Sequence, residues 1–141
     1  MRIKPTLFLV DDHVGFRNGL KLIMRLENIA TVIGEASNGQ ECMDFLLNTK
    51  PDLILMDIEM PIMNGLETTK KAIELMPDVK IMAYTMFESE EYFIKMVELG
   101  AKGFLLKSMG INELEKAINI INNGGEYFQY TKKIFYNHHV Y

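Results

Sequence analysis

Leu53-Ile54-Leu55-Met56-Asp57 is a run of four apolar residues closed by a carboxylate, and it has no polar face. A strand covered on one side only would alternate apolar with polar residues. A short, wholly apolar run instead suits a strand buried on both faces of a parallel sheet. Related runs lie on either side: Thr6-Leu-Phe-Leu-Val10 and Thr31-Val-Ile33 before it, Val79-Lys-Ile-Met-Ala-Tyr84 and Gly103-Phe-Leu-Leu106 after it. The stretches between them carry helical spacing. Phe16, Leu20, Ile23 and Met24 share one stripe, as do Leu66, Ile73 and Met76, then Phe93, Met96 and Val97, and finally Ile111, Leu114, Ile118 and Ile121. Ser37-Asn-Gly-Gln40 fits a capping box, and Ser89 precedes Glu90 and Glu91 where a helix N-terminus favours anions. Pro51 and Pro77 stop the helices before the next strands. Five such βα units imply an open parallel sheet with helices on both faces.

Composition agrees with a single domain. The chain has 141 residues, 48% of them hydrophobic, enough for a sizeable core without disulfides or a structural metal. A net charge of −4 argues against nucleic-acid binding by this domain through phosphate neutralisation. The one cysteine, Cys42, excludes an internal disulfide framework and sits on the apolar side of its helix, as a small buried hydrophobe would. No apolar run reaches the roughly 20 residues of a membrane helix, and the start lacks a signal-peptide pattern. The expectation is a cytoplasmic domain that does not engage a membrane.

In a sheet of this kind ligands bind beyond the carboxyl ends of the strands. The first run ends in Asp11-Asp12, the third in Asp57, the fourth in Thr85 and the fifth in Lys107. Any one of these could merely cap the following helix. As a set they bring three carboxylates together against one ammonium, an arrangement whose repulsion a hard divalent cation relieves.

These residues resemble the receiver domain of two-component response regulators. Asp11-Asp12, Asp57 within Met56-Asp57-Ile-Glu-Met-Pro61-Ile-Met-Asn-Gly65, Thr85 and Lys107 match in order and spacing over roughly residues 5–123. Leu9-Val-Asp-Asp-His13, Gly34-Glu-Ala-Ser-Asn-Gly39 and Gly100-Ala-Lys-Gly-Phe-Leu-Leu-Lys-Ser108 are most similar to the LuxR-type subgroup, whose members usually continue into a helix-turn-helix DNA-binding domain. The resemblance implies a flavodoxin-like (βα)5 fold: a doubly wound, five-stranded parallel sheet of order 2-1-3-4-5 in a three-layer α/β/α sandwich. It makes Asp57 the acceptor of a phosphoryl group from a sensor histidine kinase. Mg²⁺ would be held by Asp12, Asp57 and the backbone carbonyl of Glu59, with Asp11 acting mainly through water. Lys107 would pair with a phosphoryl oxygen and Thr85 would hydrogen-bond another. Phe104 would be the aromatic that changes rotamer, coupling the site to the face of the fourth helix, fifth strand and fifth helix. Glu59, Met86 and Phe87 flank the approach to Asp57, which implies a long-lived phosphate. Met86 and Phe87 also read as plain packing.

Rival readings fit less well. A flavodoxin needs a Ser/Thr/Gly phosphate loop after the first strand, where Asp11-Asp12-His13 would repel an anion. A haloacid-dehalogenase phosphatase carries its Asp-x-Asp acceptor after the first strand, not the third. A degenerate receiver would have lost some of the five functional groups. His13 reads as a surface or capping residue, His138-His139 as carrying no metal, and the eleven methionines as packing.

Gly124-Gly125 ends the last helix and divides a receiver, residues 1–123, from an aromatic-rich tail, residues 124–141. The effector domain is absent, so the chain reads as a truncated transcription regulator or as a stand-alone receiver acting by protein–protein interaction. Tyr127, Thr131, Ile134 and Tyr141 can share a helical face, with Phe128 and Phe135 on the next stripe. That pattern predicts a tail packed on the fifth helix of its own domain or of a dimer partner. A homodimer through the tail, or through the face of the fourth helix, fifth strand and fifth helix, is the associated expectation.

Overall fold

The computed structural model describes residues 3–130 and, as backbone, 133–137. Each apolar run forms a strand: β1 Thr6–Val10, β2 Thr31–Ala36, β3 Leu53–Met56, β4 Ile81–Thr85 and β5 Gly103–Leu106. The helices between and after them are α1 Val14–Leu26, α2 Gly39–Leu46, α3 Gly65–Leu75, α4 Glu90–Leu99 and α5 Ile111–Asn122. The expected order 2-1-3-4-5 is present, and all pairings among these five strands are parallel.

Two apolar layers follow from the alternation of side chains along the strands. Leu7, Leu9, Leu53, Leu55 and Met82 pack with Leu20 and Met24 of α1 and Leu114, Ala117, Ile118 and Ile121 of α5. Phe8, Val10, Ile54, Met56 and Ile81 face α2, α3 and α4, where Cys42, Leu46, Ala72 and Met96 meet them. Cys42 is fully buried as expected, and burial pushes its thiol up to about 12. The expected capping box is displaced by one residue. Asn38, not Ser37, caps α2 by accepting from Glu41 N, and Glu41 reaches back to Ser37 N.

The strand count departs from expectation at the C-terminal edge. Glu126–Tyr130 forms β6, parallel to β5, and Lys133–Asn137 forms β7, antiparallel to β6, so the sheet has seven strands. The helical reading of the tail is therefore corrected for these residues, while Thr131 and Tyr141 lie outside the described residues. The physical reason is the free edge of β5, whose unpaired backbone is a template for another strand. Tyr127 N donates to Lys102 O and Tyr127 pairs with Gly103 in register. Gly103 permits that approach: a Cβ there would stand 2.7 Å from the Tyr127 carbonyl oxygen. On one face of β6, Tyr127 and Gln129 are buried, with the Tyr127 hydroxyl donating to Glu113 of α5 and Leu106 N donating to Gln129 Oε1. On the other, Phe128 and Tyr130 meet Phe93 of α4. The edge of β5, part of the expected fourth-helix, fifth-strand and fifth-helix face, is thus covered by the chain's own β6.

Candidate functional site

The carboxyl ends of β1 and β3 lie side by side, because Val10 pairs with Met56, and so Asp11 and Asp57 leave the sheet as neighbours. Asp57 N donates to Val10 O and Asp11 N to Ala36 O, fixing both backbones just past the strands. A carboxylate oxygen from each of Asp11, Asp12 and Asp57 lies within 4.8 Å of the others. Asp11 and Asp57 are buried, whereas Asp12 is exposed.

Lys107, directly after β5, enters this cluster from the other side. Its Nζ is 2.5 Å from Asp11 Oδ2 and 3.2 Å from Asp57 Oδ2, and it lies 4.3 Å over the Phe16 ring. Its side chain retains only 8% exposure, so the charge is spent inside the site. Asp57 also accepts from Ile58 N through Oδ1. Burial nevertheless pushes the Asp57 carboxyl above its ordinary range; Lys107 opposes the rise and Asp11 adds to it. One ammonium for three carboxylates leaves a local negative excess. Hard oxygen donors at this spacing suit a divalent cation that keeps some of its waters, so the pocket is one that could bind a metal.

The remaining expected residues surround this centre. Thr85 closes β4, is fully buried, and its Oγ1 accepts from Phe87 N. Phe104, paired with Ala83, is buried beneath α4 with its ring edge-on to Phe93, centroids 5.5 Å apart. Met86 and Phe87 are exposed, 72% and 47%, so plain packing does not account for them. Glu59 is exposed on the loop after β3, and its Oε1 accepts from the Tyr92 hydroxyl at 2.8 Å. His13 is an exposed residue at the start of α1, where its backbone N, not its side chain, bonds Asp11 Oδ1.

Two supports were missed in the sequence. Arg17 is buried, donates from Nη1 to the Asp11 carbonyl, and pairs through Nε with Glu35 at 2.8 Å. Lys21 and Arg17 together hold the Glu35 carboxyl below its usual range. The signal was available, since Arg17 shares its face of α1 with Leu20 and Met24 at i+3 and i+7. Gly65 is the second support: a Cβ there would fall 2.1 Å from the Asp57 carbonyl oxygen. Ile62, in the loop after β3, is an exposed β-branched residue held at φ +70°. That is a strained conformation of the kind found beside functional sites.

Comparison with known proteins gives a consistent result. The family described as "Response regulator receiver domain" matches residues 7–119. The chain is 36% identical over 124 residues to the transcriptional regulatory protein DegU of Brevibacillus brevis, covering 88% of this chain and 52% of that protein. It is 40% identical over 114 residues to the nitrate/nitrite response regulator protein NarL of Escherichia coli (strain K12), covering 81% and 53%. The chain thus spans about half the length of these curated relatives. Among solved structures, a LuxR-family two-component response regulator from an Aurantimonas species superposes with a TM-score of 0.82 at 30% identity, over 86% of this chain and 87% of that one. A LuxR-family DNA-binding response regulator from Staphylococcus aureus gives 0.79 at 28% identity, over 84% and 99%. Among the described residues, no helix is long and apolar enough to cross a membrane.

Proposed function

The chain belongs to the response regulator receiver family of two-component signalling, and from that membership we propose that Asp57 accepts a phosphoryl group from a sensor histidine kinase. The observation that carries this reading is the convergence of the Asp11, Asp12 and Asp57 carboxylates around a single buried ammonium, Lys107. The acceptor oxygen bonds phosphorus as the bond to the donor nitrogen or oxygen breaks, and the donor leaves with the electron pair. Phosphoryl transfer has a loose transition state, so alignment and charge neutralisation do most of the work. Mg²⁺, held by Asp12, Asp57 and the carbonyl of Glu59 with Asp11 behind a water, would supply the charge neutralisation that three carboxylates require. Lys107, already 3.2 Å from Asp57 Oδ2, pairs with a phosphoryl oxygen. Gly65 and Ile58 N keep the Asp57 backbone and its second oxygen in place.

The product adds about −1.5 to −2 charges and strong acceptor oxygens at the end of β3. Thr85, whose hydroxyl accepts from Phe87 N at 3.3 Å, donates to one of those oxygens. Its withdrawal gives Phe104 room to change rotamer, and Phe104 touches α4 through Phe93. The switch would govern a DNA-binding output of the kind the related transcriptional regulators are named for, or, in a stand-alone receiver, the docking of a partner protein. Homodimerisation through the α4–α5 side or the tail is the form the response takes, and light scattering with and without phosphorylation tests it.

Incubation with acetyl phosphate and Mg²⁺, followed by intact mass, should show one added phosphate, lost on chelation. Equal labelling of Asp57→Asn would overturn the assignment. Thr85→Ala should keep the label while losing the phosphate-dependent change in amide exchange over residues 86–107.

A further inference from the structure

Glu59, exposed on the loop after β3, does not hang free. It sits two residues beyond Asp57, and Tyr92, in the first turn of α4, donates its hydroxyl to Glu59 Oε1 at 2.8 Å across 33 residues of sequence. The Tyr92 backbone is itself fixed, because its N donates to the Ser89 cap. The phenol therefore reaches Glu59 from an anchored helix start, and it is rigid beyond two torsions. This bond joins α4 to the loop that follows the acceptor.

Loss of the phosphate is a hydrolysis. A water oxygen bonds phosphorus while the phosphorus–oxygen bond to Asp57 breaks. The electron pair stays on the Asp57 carboxylate, and the water proton passes to solvent or to a base within reach. Asp11 is engaged by Lys107 and Asp12 belongs to the same carboxylate cluster, which leaves Glu59, two residues past the acceptor, as the nearby carboxylate in sequence outside that cluster. A glutamate free to turn could accept a hydrogen bond from the attacking water and orient it. Building on the Asp57 assignment, we infer that Tyr92 is a positioning residue for phosphate lifetime: its hydroxyl ties the Glu59 carboxylate to α4 and keeps it from orienting that water.

The test uses the full chain, labelled with acetyl phosphate and Mg²⁺, freed of donor, and followed by intact mass. Tyr92→Phe removes one hydroxyl and keeps the ring, and should shorten the phosphate half-life about two- to tenfold, the range one hydrogen bond spans. In a Glu59→Ala background the same change should have no effect. In a Glu59→Gln background, where the amide oxygen still accepts from the phenol, the effect should return. An unchanged or lengthened half-life in Tyr92→Phe overturns the inference and leaves the Asp57 assignment standing. So does a shortening that persists with Glu59→Ala, or a change in melting temperature without a change in decay. A parent chain that takes no label overturns both.

Discussion

The carboxyl edge of the sheet and its lateral edge along β5 and β6 are built on opposite principles. At the carboxyl edge, Asp11, Asp12 and Asp57 crowd around one lysine, and burial raises the Asp57 carboxyl against its charged form. At the lateral edge, Phe104, Phe128 and Tyr130 surround Phe93 with centroids 5.3–5.9 Å apart, and Gln129 satisfies the last backbone N–H of β5. The first region stores unfavourable electrostatics that a ligand can relieve. The second is satisfied within the chain and contributes packing. Substitutions that remove chemistry should therefore have opposite signs on stability in the two regions.

The largest effect belongs to the aromatic seam. Phe93→Ala removes the ring that touches Phe104, Phe128 and Tyr130 together, and should cost about 2–3 kcal/mol, or roughly 6–10 °C in melting temperature. The loss should fall on β6, seen as faster amide exchange over residues 126–130. A loss under about 0.5 kcal/mol would mean the seam adds little, and would break the contrast.

The two regions also differed in how far the sequence revealed them. The pocket was legible because Asp11, Asp57, Thr85 and Lys107 each close an apolar strand, where a polar side chain has no packing reason to be. Parallel topology then brings those ends together without further information. Arg17 was obscured by its own helix stripe, in which Phe16 and Ile23 read as core; the structure buries Arg17 and leaves Ile23 38% exposed. The β6 strand was not legible as a strand. Tyr127, Thr131 and Ile134 satisfy helical spacing, while Tyr127 and Gln129 satisfy strand spacing, so local periodicity could not choose. The deciding partner is the edge of β5, more than twenty residues upstream. The Tyr92–Glu59 bond is equally nonlocal, joining side chains whose positions depend on two separate loops.

Alkaline pH sharpens the comparison from the pocket side. Burial, with the Asp11 charge beside it, pushes the Tyr84 phenol up to about 12. An unfolded tyrosine titrates near 10, so between about pH 10 and 12 the native chain binds more protons than the unfolded one. Stability from this group is complete below pH 10 and is lost as pH rises through 12, with a slope of about 1.4 kcal/mol per pH unit. Tyr84→Phe should flatten that part of the profile by about 1–2 kcal/mol near pH 11.5 in chemical denaturation. Identical slopes in variant and parent would show that Tyr84 is not held neutral by its surroundings.

The smallest expected effect carries the sign that separates the regions. The Asp57 carboxyl is raised in the folded chain, so its contribution to stability is present below the unfolded value near 4 and is lost as pH climbs through the folded value. At neutral pH without metal, the buried Asp57 carboxyl is therefore a cost. Asp57→Asn removes the charge, while an amide oxygen can still accept from Ile58 N, and Lys107 retains Asp11 at 2.5 Å. In chelator the variant should melt about 3 °C above the parent at pH 7, the shift that ~1 kcal/mol gives in a domain of this size, and the gap should close toward pH 4. Adding Mg²⁺ should reverse the order. Ligand bound only by the native state at 100 times its dissociation constant stabilises by about 2.7 kcal/mol, and the variant has lost one of the three carboxylates that would hold it. A variant that melts below the parent in chelator at pH 7 would show that Lys107 and Ile58 N fully compensate Asp57, and that the carboxyl edge is no more strained than the aromatic seam.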